Sequence, residues 1–96
     1  MKLVLHPLVH SDIAETMEFY EREGGSKLAA DFYHEFRRCA SVVLNRPLSF
    51  SVFTGDLRRI HLNRFPFHLL YQVAAEEVFV LIVRHHARHP DFGLDR

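Results

Sequence analysis

The sequence predicts an α+β domain in which an N-terminal strand and a helical hairpin pack on one face of a mainly antiparallel four-stranded sheet. Apolar residues recur at helical spacing between residues 11 and 46. Alternating or continuous apolar segments follow from residue 59 to residue 83. A chain of 96 residues without a linker, repeat or low-complexity tract has room for one core. We therefore expect a single domain spanning residues 1–96.

Composition and charge exclude several classes of protein. Twelve Lys and Arg balance twelve Asp and Glu, so the formal net charge is zero with neutral histidines. This balance argues against a broad nucleic-acid-binding surface, whose affinity depends on how many phosphates it neutralises. No apolar segment is long enough to span a membrane or to form a secretory signal. Cys39 is the only cysteine, which rules out an internal disulfide, and we expect a cytoplasmic protein.

A strand and two helices account for the first half of the chain. Residues 2–6 are typical of a strand that ends at Pro7. The pair Ser11–Asp12 offers N-cap oxygens for a first helix, which Gly24–Gly25 terminates. The second helix ends at Arg46–Pro47. Because the turn between the two helices is short, they are predicted to form an antiparallel hairpin.

Strand patterns dominate the second half. Residues 48–57 are rich in turn-forming residues and are predicted to be a loop. Residues 59–63 and 67–73 alternate apolar and polar side chains, as expected of strands with one buried face. Residues 78–83 are apolar throughout, which indicates a central strand covered on both faces. The intervening residues 74–77 are few enough to make the last two strands a hairpin.

The alternation also predicts a register and two chemically different faces. Four cross-strand pairs are predicted to face the helices: Ile60 with Leu69, Val73 with Val78, Tyr71 with Val80, and Leu69 with Ile82. The opposite side, called here the far face, is predicted to show Arg59, His61, His68 and Gln72 beside Phe79, Leu81 and Val83. We expect this far face to be open, and an exposed apolar patch with a polar rim is typical of a partner-binding surface.

Three motifs in this order resemble the RelE/ParE superfamily, the toxins of type II toxin–antitoxin or plasmid stabilisation modules. They are Arg64-Phe65-Pro66-Phe67, Leu70-Tyr71-Gln72-Val73, and the tail from His85 through Arg88-His89-Pro90-Asp91-Phe92. The resemblance covers nearly the whole chain. It implies a cytoplasmic toxin that is neutralised by direct binding of a cognate antitoxin protein in an oligomeric complex, with no cofactor and no membrane partner.

The superfamily divides into two branches with different targets. The RelE-like branch cleaves mRNA on the ribosome, whereas the ParE-like branch inhibits DNA gyrase. Against the RelE-like pattern, Arg59 and His61 stand where that branch favours lysines, and His68 stands where it favours an arginine. Arg88 retains a tail arginine, and Leu94 stands near the expected tail tyrosine. These departures favour a non-enzymatic, ParE-like inhibitor of gyrase, with a RelE-like nuclease or a non-toxic binding module of the same fold as alternatives.

The candidate functional residues differ between a nuclease and a partner-binding protein. A metal-independent endoribonuclease would need a base, an acid and phosphate-binding cations, and the candidate catalytic residues are Arg59, His61, His68 and Arg88. A partner-binding surface would comprise Arg59, His68, Gln72, Phe79, Leu81, Arg84 and Arg88. Arg88 is the principal candidate, as a fork for a phosphate or carboxylate, and its alternative role is a salt bridge to Asp91 or Asp95.

Two further features have structural interpretations. His85 and His89 have the i, i+4 spacing of a helical metal site, but Pro90 follows at once and no helix is expected there. No carboxylate completes a zinc-protease pattern, so we expect no metal site. Cys39 lies on the apolar side of the second helix and is expected to be buried and unreactive.

Overall fold

The computed structural model describes all 96 residues and confirms the α+β class, with five strands instead of four. The elements follow in this order: β1 (Lys2–Leu5), α1 (Val9–Asn45), β2 (Val52–Thr54), β3 (Leu57–His61), β4 (Phe67–Ala74) and β5 (Glu77–His85). The strands are arranged β1-β5-β4-β3-β2. β1 runs parallel to β5, and the other neighbouring strands are antiparallel. α1 contains no apolar stretch of the length needed to cross a lipid bilayer.

The additional strand, β2, lies within the predicted loop at residues 48–57, so that prediction is wrong for Val52–Thr54 and also for Leu57, where β3 begins. β2 pairs with β3 through Val52 opposite Arg58, and Gly55 forms the turn with a φ of 55°. Arg58 donates from Nη1 to the carbonyl oxygen of Phe50 at 2.7 Å. Three residues carry too little periodicity to indicate a strand, and their conformation depends on contacts with β3.

The helical segment α1 has two arms that meet at Gly25. The backbone leaves the helical region there, with φ 88° and ψ 177°, a conformation that only glycine adopts without strain. The rings of Tyr20 and Phe32 lie 5.7 Å apart, so the N-terminal arm (residues 9–24) folds back on the C-terminal arm (residues 26–45). The helical break expected at the two glycines is therefore present.

The predicted N-cap at Ser11–Asp12 is wrong, because α1 begins at Val9. Asp12 lies inside the first turn, where its backbone N–H already donates to the carbonyl of Leu8 at 3.0 Å. Its carboxylate accepts the backbone N–H of Val83 on β5 at 3.1 Å. A carboxylate near a helix start therefore serves a long-range contact here, which local capping rules do not anticipate.

The register is confirmed over most of the sheet. Ile60 pairs with Leu69, Val73 with Val78, and Tyr71 with Val80. The pairing of Leu69 with Ile82 is wrong: a bulge between Leu70 and Tyr71 places Leu69 opposite Val83. Because successive strand residues point to opposite faces, this one-residue shift exchanges the faces predicted for Ile82 and Val83.

The main core lies between α1 and the sheet. Its buried members are Val9, Ile13, Phe32, Phe36, Cys39, Val43, Ile60, Leu62, Phe65, Leu69, Tyr71, Val78, Val80 and Val83. Tyr71 is fully buried, and its hydroxyl donates to the carbonyl of Pro47 at 2.7 Å, which satisfies the polar group inside the core.

The far face is partly covered by the chain itself, so the expectation of an open face is wrong for its centre. A second apolar cluster of Leu70, Leu81 and Ile82 is buried there, with Leu94 and Phe53 packed against it. Leu94 belongs to residues 86–96, which leave β5 and turn back against the sheet. We call these residues the C-terminal strap.

Candidate functional site

Arg84 lies at the centre of the far face and organises its surroundings. Its exposed fraction is 4%, and its Nε–H donates to His68 Nε2 at 2.9 Å. Nη1 donates to three carbonyl oxygens of the strap, those of His89, Pro90 and Phe92, at 3.2, 2.9 and 2.8 Å. Burial lowers the pKa of the guanidinium from its ordinary value, and nearby Arg59 adds to this effect. The charge that the sequence places on a central strand is therefore solvated by the protein's own backbone.

Three imidazoles form a cluster beside Arg84. The rings of His68 and His86 are stacked with centroids 5.1 Å apart, and His61 lies 4.8 Å from His86. His68 Nε2 accepts the hydrogen bond from Arg84, so its proton is on Nδ1 and is donated to Nδ1 of His86 at 2.9 Å. Burial lowers the pKa of His68 to about 3, with the charges of Arg84 and His86 as further causes. His68 is therefore neutral at physiological pH.

This geometry limits what the predicted catalytic residues can do. Arg59, His61 and His68 lie together on the far face, and the Arg59 guanidinium lies 5.1 Å from the ring centroid of Phe53. Both ring nitrogens of His68 are engaged by the protein, which leaves none to take a proton from a substrate. The structure contains no group of three or more His, Cys, Asp or Glu residues placed to hold a metal ion.

Arg88, the fourth predicted catalytic residue, has a different environment. It is exposed on the strap, and its guanidinium lies 4.6 Å from the ring centroid of Phe92. This is a cation–π contact. It replaces the salt bridge to Asp91 or Asp95 that was the alternative role for Arg88. The guanidinium donors are available to a ligand in this arrangement.

The predicted partner-binding residues divide by accessibility. Three of them are buried: His68, Leu81 and Arg84. Of the others, Gln72 is half-buried and donates to Asp56 at 2.7 Å. Phe79 is half-buried beside His6, with ring centroids 6.1 Å apart. A partner can therefore reach Arg59, Gln72, Phe79 and Arg88 directly, whereas the three buried residues require the strap to move.

A groove of about 750 Å³ lies between the N-terminal arm and the strap, and we call it the arm–strap groove. Phe19 and Glu15 stand on the helical wall, Arg88 and Phe92 on the strap wall, and Phe67 also lines it. Phe19 is 47% exposed and Phe92 is 42% exposed. Two large apolar side chains thus line one groove with an acidic residue on one wall and a basic residue on the other.

No functional role was expected for Phe19 or Phe92 from the sequence. A signal was present at Phe19, which follows Glu18 on the polar side of the N-terminal arm. Phe92 belongs to the His85–Phe92 tail motif, but its position across the groove from Phe19 depends on how the strap folds back. That path has no local sequence signature.

Comparisons with known proteins agree with the fold. A family model described as "ParE toxin of type II toxin-antitoxin system, parDE" matches residues 3–90. A solved structure described as "Chromosomal ParDE TA system from P. aeruginosa" is similar, with a TM-score of 0.80 and 16% sequence identity. The alignment covers 88% of this chain and 95% of that one. No curated protein matches the chain.

Proposed function

The chain belongs to the ParE toxin family of type II toxin–antitoxin systems, and from this premise we propose that it inhibits DNA gyrase and is neutralised by a cognate antitoxin. The match over residues 3–90 carries the proposal, because it begins within β1 and includes both arms of α1 and the other four strands. Gyrase and a cognate antitoxin would both be met in the bacterial cytoplasm, which we propose as its location.

The environment of His68 supports an inhibitor over a nuclease. Metal-independent RNA cleavage requires a group that accepts the 2′-hydroxyl proton near neutral pH. His68 has a pKa of about 3 and uses Nε2 to accept from Arg84. Hydrogen bonds to Arg84 and His86 thus occupy both ring nitrogens that catalysis would need. A binding mechanism makes no such demand on the far face.

The arm–strap groove is our proposed contact surface for the antitoxin. The exposed rings of Phe19 and Phe92 would bury apolar surface against an amphipathic segment of the antitoxin. Glu15 and Arg88 line opposite walls, so they would pair with a basic and an acidic residue of that segment and fix its direction. Arg59, Gln72 and Phe79 would extend the contact on the far face, where they are partly exposed.

A RelE-like endoribonuclease remains the second candidate because one observation favours it. His61 is exposed next to His86 and shares the far face with Arg59, so this corner presents both imidazole and guanidinium groups to solvent. In that mechanism His61 would replace His68 as the base. The two candidates differ in what the cell loses, which is supercoiling in one case and intact mRNA in the other.

Expression of the chain in a bacterium tests the proposal. The chain would be induced alone and together with the antitoxin encoded beside it, while growth, SOS induction and transcript integrity are recorded. We expect arrested growth with SOS induction and intact transcripts, and rescue by the antitoxin. Arg88→Ala should alter toxicity or rescue, whereas Arg37→Ala, an exposed arginine on the C-terminal arm, should not. Shortened transcripts without SOS induction would identify the nuclease, and harmless expression would identify a non-toxic binding module.

A further inference from the structure

We propose that the C-terminal strap is a pH-gated cover, whose first part, residues 86–92, detaches from the far face when the His68–His86 pair takes up a proton. Release would expose the Arg84 guanidinium and would remove one wall of the arm–strap groove. The proposal concerns the conformation of this chain and does not depend on which cellular target it inhibits.

The strap is held by polar contacts that converge on two buried side chains. Arg84 donates to the carbonyls of His89, Pro90 and Phe92, while His68 donates to His86. Arg84 itself is oriented by the acceptor nitrogen of His68, at 2.9 Å from its Nε. One neutral imidazole therefore both donates to the strap and positions the guanidinium that holds it.

Protonation destroys this arrangement. A protonated His68 has no acceptor, so its Nε2–H would point at the Nε–H of Arg84. A protonated His86 would likewise present an N–H to the N–H of His68 across the 2.9 Å contact. In either case two donors face each other inside a partly buried site, and the strap contacts weaken.

The surrounding charges oppose protonation in the closed state. Arg59 and His61 face the pair from β3, and Arg84 and His85 face it from β5. β2 contributes the uncharged ring of Phe53, 6.3 Å from the ring of His68. Asp91 on the strap acts on Arg84 as the nearby negative charge. The balance is cationic, so an added proton is repelled unless the strap opens to water.

The sign and size of the response follow from linkage. His68 has a folded pKa of about 3, below the ordinary value of about 6.5 that it would regain in an open state. The closed form is therefore favoured fully above pH 6.5 and loses this advantage as the pH falls from 6.5 towards 3. When the pH falls from 7.5 to 5.5, one such histidine increases the population with the strap open by about tenfold.

Amide hydrogen exchange of the purified full chain, corrected for the intrinsic effect of pH, tests the proposal. Two backbone amides tie this part of the strap to the rest of the protein: His86 bonded to Pro66, and Arg88 bonded to His85. We expect their protection to fall about tenfold between pH 7.5 and pH 5.5, while β4 amides keep theirs. No change at the strap, or an equal loss in β4, would overturn the proposal.

Two variants separate the gate from general effects of pH. His68→Gln supplies an acceptor for Arg84 and a donor for His86 that do not titrate, so the pH response should largely disappear. His34→Gln, an exposed imidazole on the C-terminal arm, should keep the full response. If His68→Gln does not fold, His86→Gln should reduce the response below that of wild type. A wild-type response in the folded variant would contradict the gate.

Discussion

Asp12 and Arg96 lie 84 residues apart in sequence and form a two-pronged ion pair, with both N–O distances at 2.7 Å. The pair covers an edge of β5 that has no neighbouring strand, because the register of β1 ends with Leu5 opposite Val80. Beyond that point Asp12 accepts the backbone N–H of Val83, and Arg96 donates to the carbonyl of Leu81 at 3.2 Å. Two side chains thus replace a missing strand and anchor the end of the strap.

Removal of this pair should destabilise the protein. Both side chains are about nine-tenths buried, at 11% and 12% exposure, so Arg96→Ala leaves a carboxylate without its partner near the core. We expect a loss of about 2–3 kcal/mol in the free energy of unfolding, measured by urea titration. Lys27→Ala breaks an exposed pair with Asp31 and should produce no measurable change. Equal stabilities of the two variants would contradict the anchoring role.

Replacement of Gly25, in the turn between the helical arms, should destabilise the protein more than replacement of Gly55. Gly25 has φ 88° and ψ 177°, where an L side chain is strained, while Gly55 has φ 55°, which other residues adopt at lower cost. Gly25→Ala should therefore cost about 2 kcal/mol of stability, and Gly55→Ala about 1 kcal/mol. A Cβ added at either glycine would meet no other atom within 4 Å, so steric clashes do not contribute to the difference. Thermal unfolding measures both, and a more harmful Gly55→Ala would contradict this view of the hairpin.

The buried thiol predicts a kinetic signature. Burial raises the pKa of Cys39 to about 12, and the carboxylate of Glu35 adds to the effect, so almost no thiolate forms in the folded state at pH 8. We expect an aromatic disulfide reagent to modify Cys39 only through unfolding, at a rate that increases in urea as the unfolded population increases. The chain in denaturant serves as the fully reactive control. Rapid modification of the native protein would contradict the described burial.

Sequence patterns predicted the parts of this fold that depend on local periodicity. The hairpin of helices follows from the break at Gly24–Gly25 and the short turn there, and the pairing of Ile60 with Leu69 follows from side-chain spacing. The bulge at Leu70–Tyr71 was not predictable, because one extra residue does not interrupt the run of apolar side chains in β5. It does reverse the side of the sheet to which the C-terminal residues of β5 point. Val83 and Ile82 were consequently placed on the wrong faces.

The candidate site was less predictable than the fold. The sequence placed Arg84 on a partner-binding surface, whereas in the structure its guanidinium donates to three backbone carbonyls of the strap. Main-chain oxygens carry no sequence signal. The arm–strap groove was not predictable either, because Phe19 and Phe92 come to line one groove only when the strap folds back.

The groove predicts a selective effect on antitoxin binding. Phe19→Glu should leave the fold intact because Phe19 is 47% exposed. It should weaken antitoxin affinity by about 30-fold, as expected when an aromatic residue at the centre of an interface is lost. Tyr33→Glu changes an aromatic residue of the C-terminal arm that is 37% exposed and lies outside the groove, and it should bind as wild type. Calorimetric titration measures both affinities, and a reversed order would place the antitoxin elsewhere.

The most direct test of the central claim is DNA supercoiling by purified bacterial gyrase in the presence of the purified chain. We predict that supercoiling of relaxed plasmid declines as the chain is added and recovers when antitoxin is added, while mRNA on programmed ribosomes stays intact. Undiminished supercoiling at a molar excess of the chain, together with cleaved mRNA, would contradict the account.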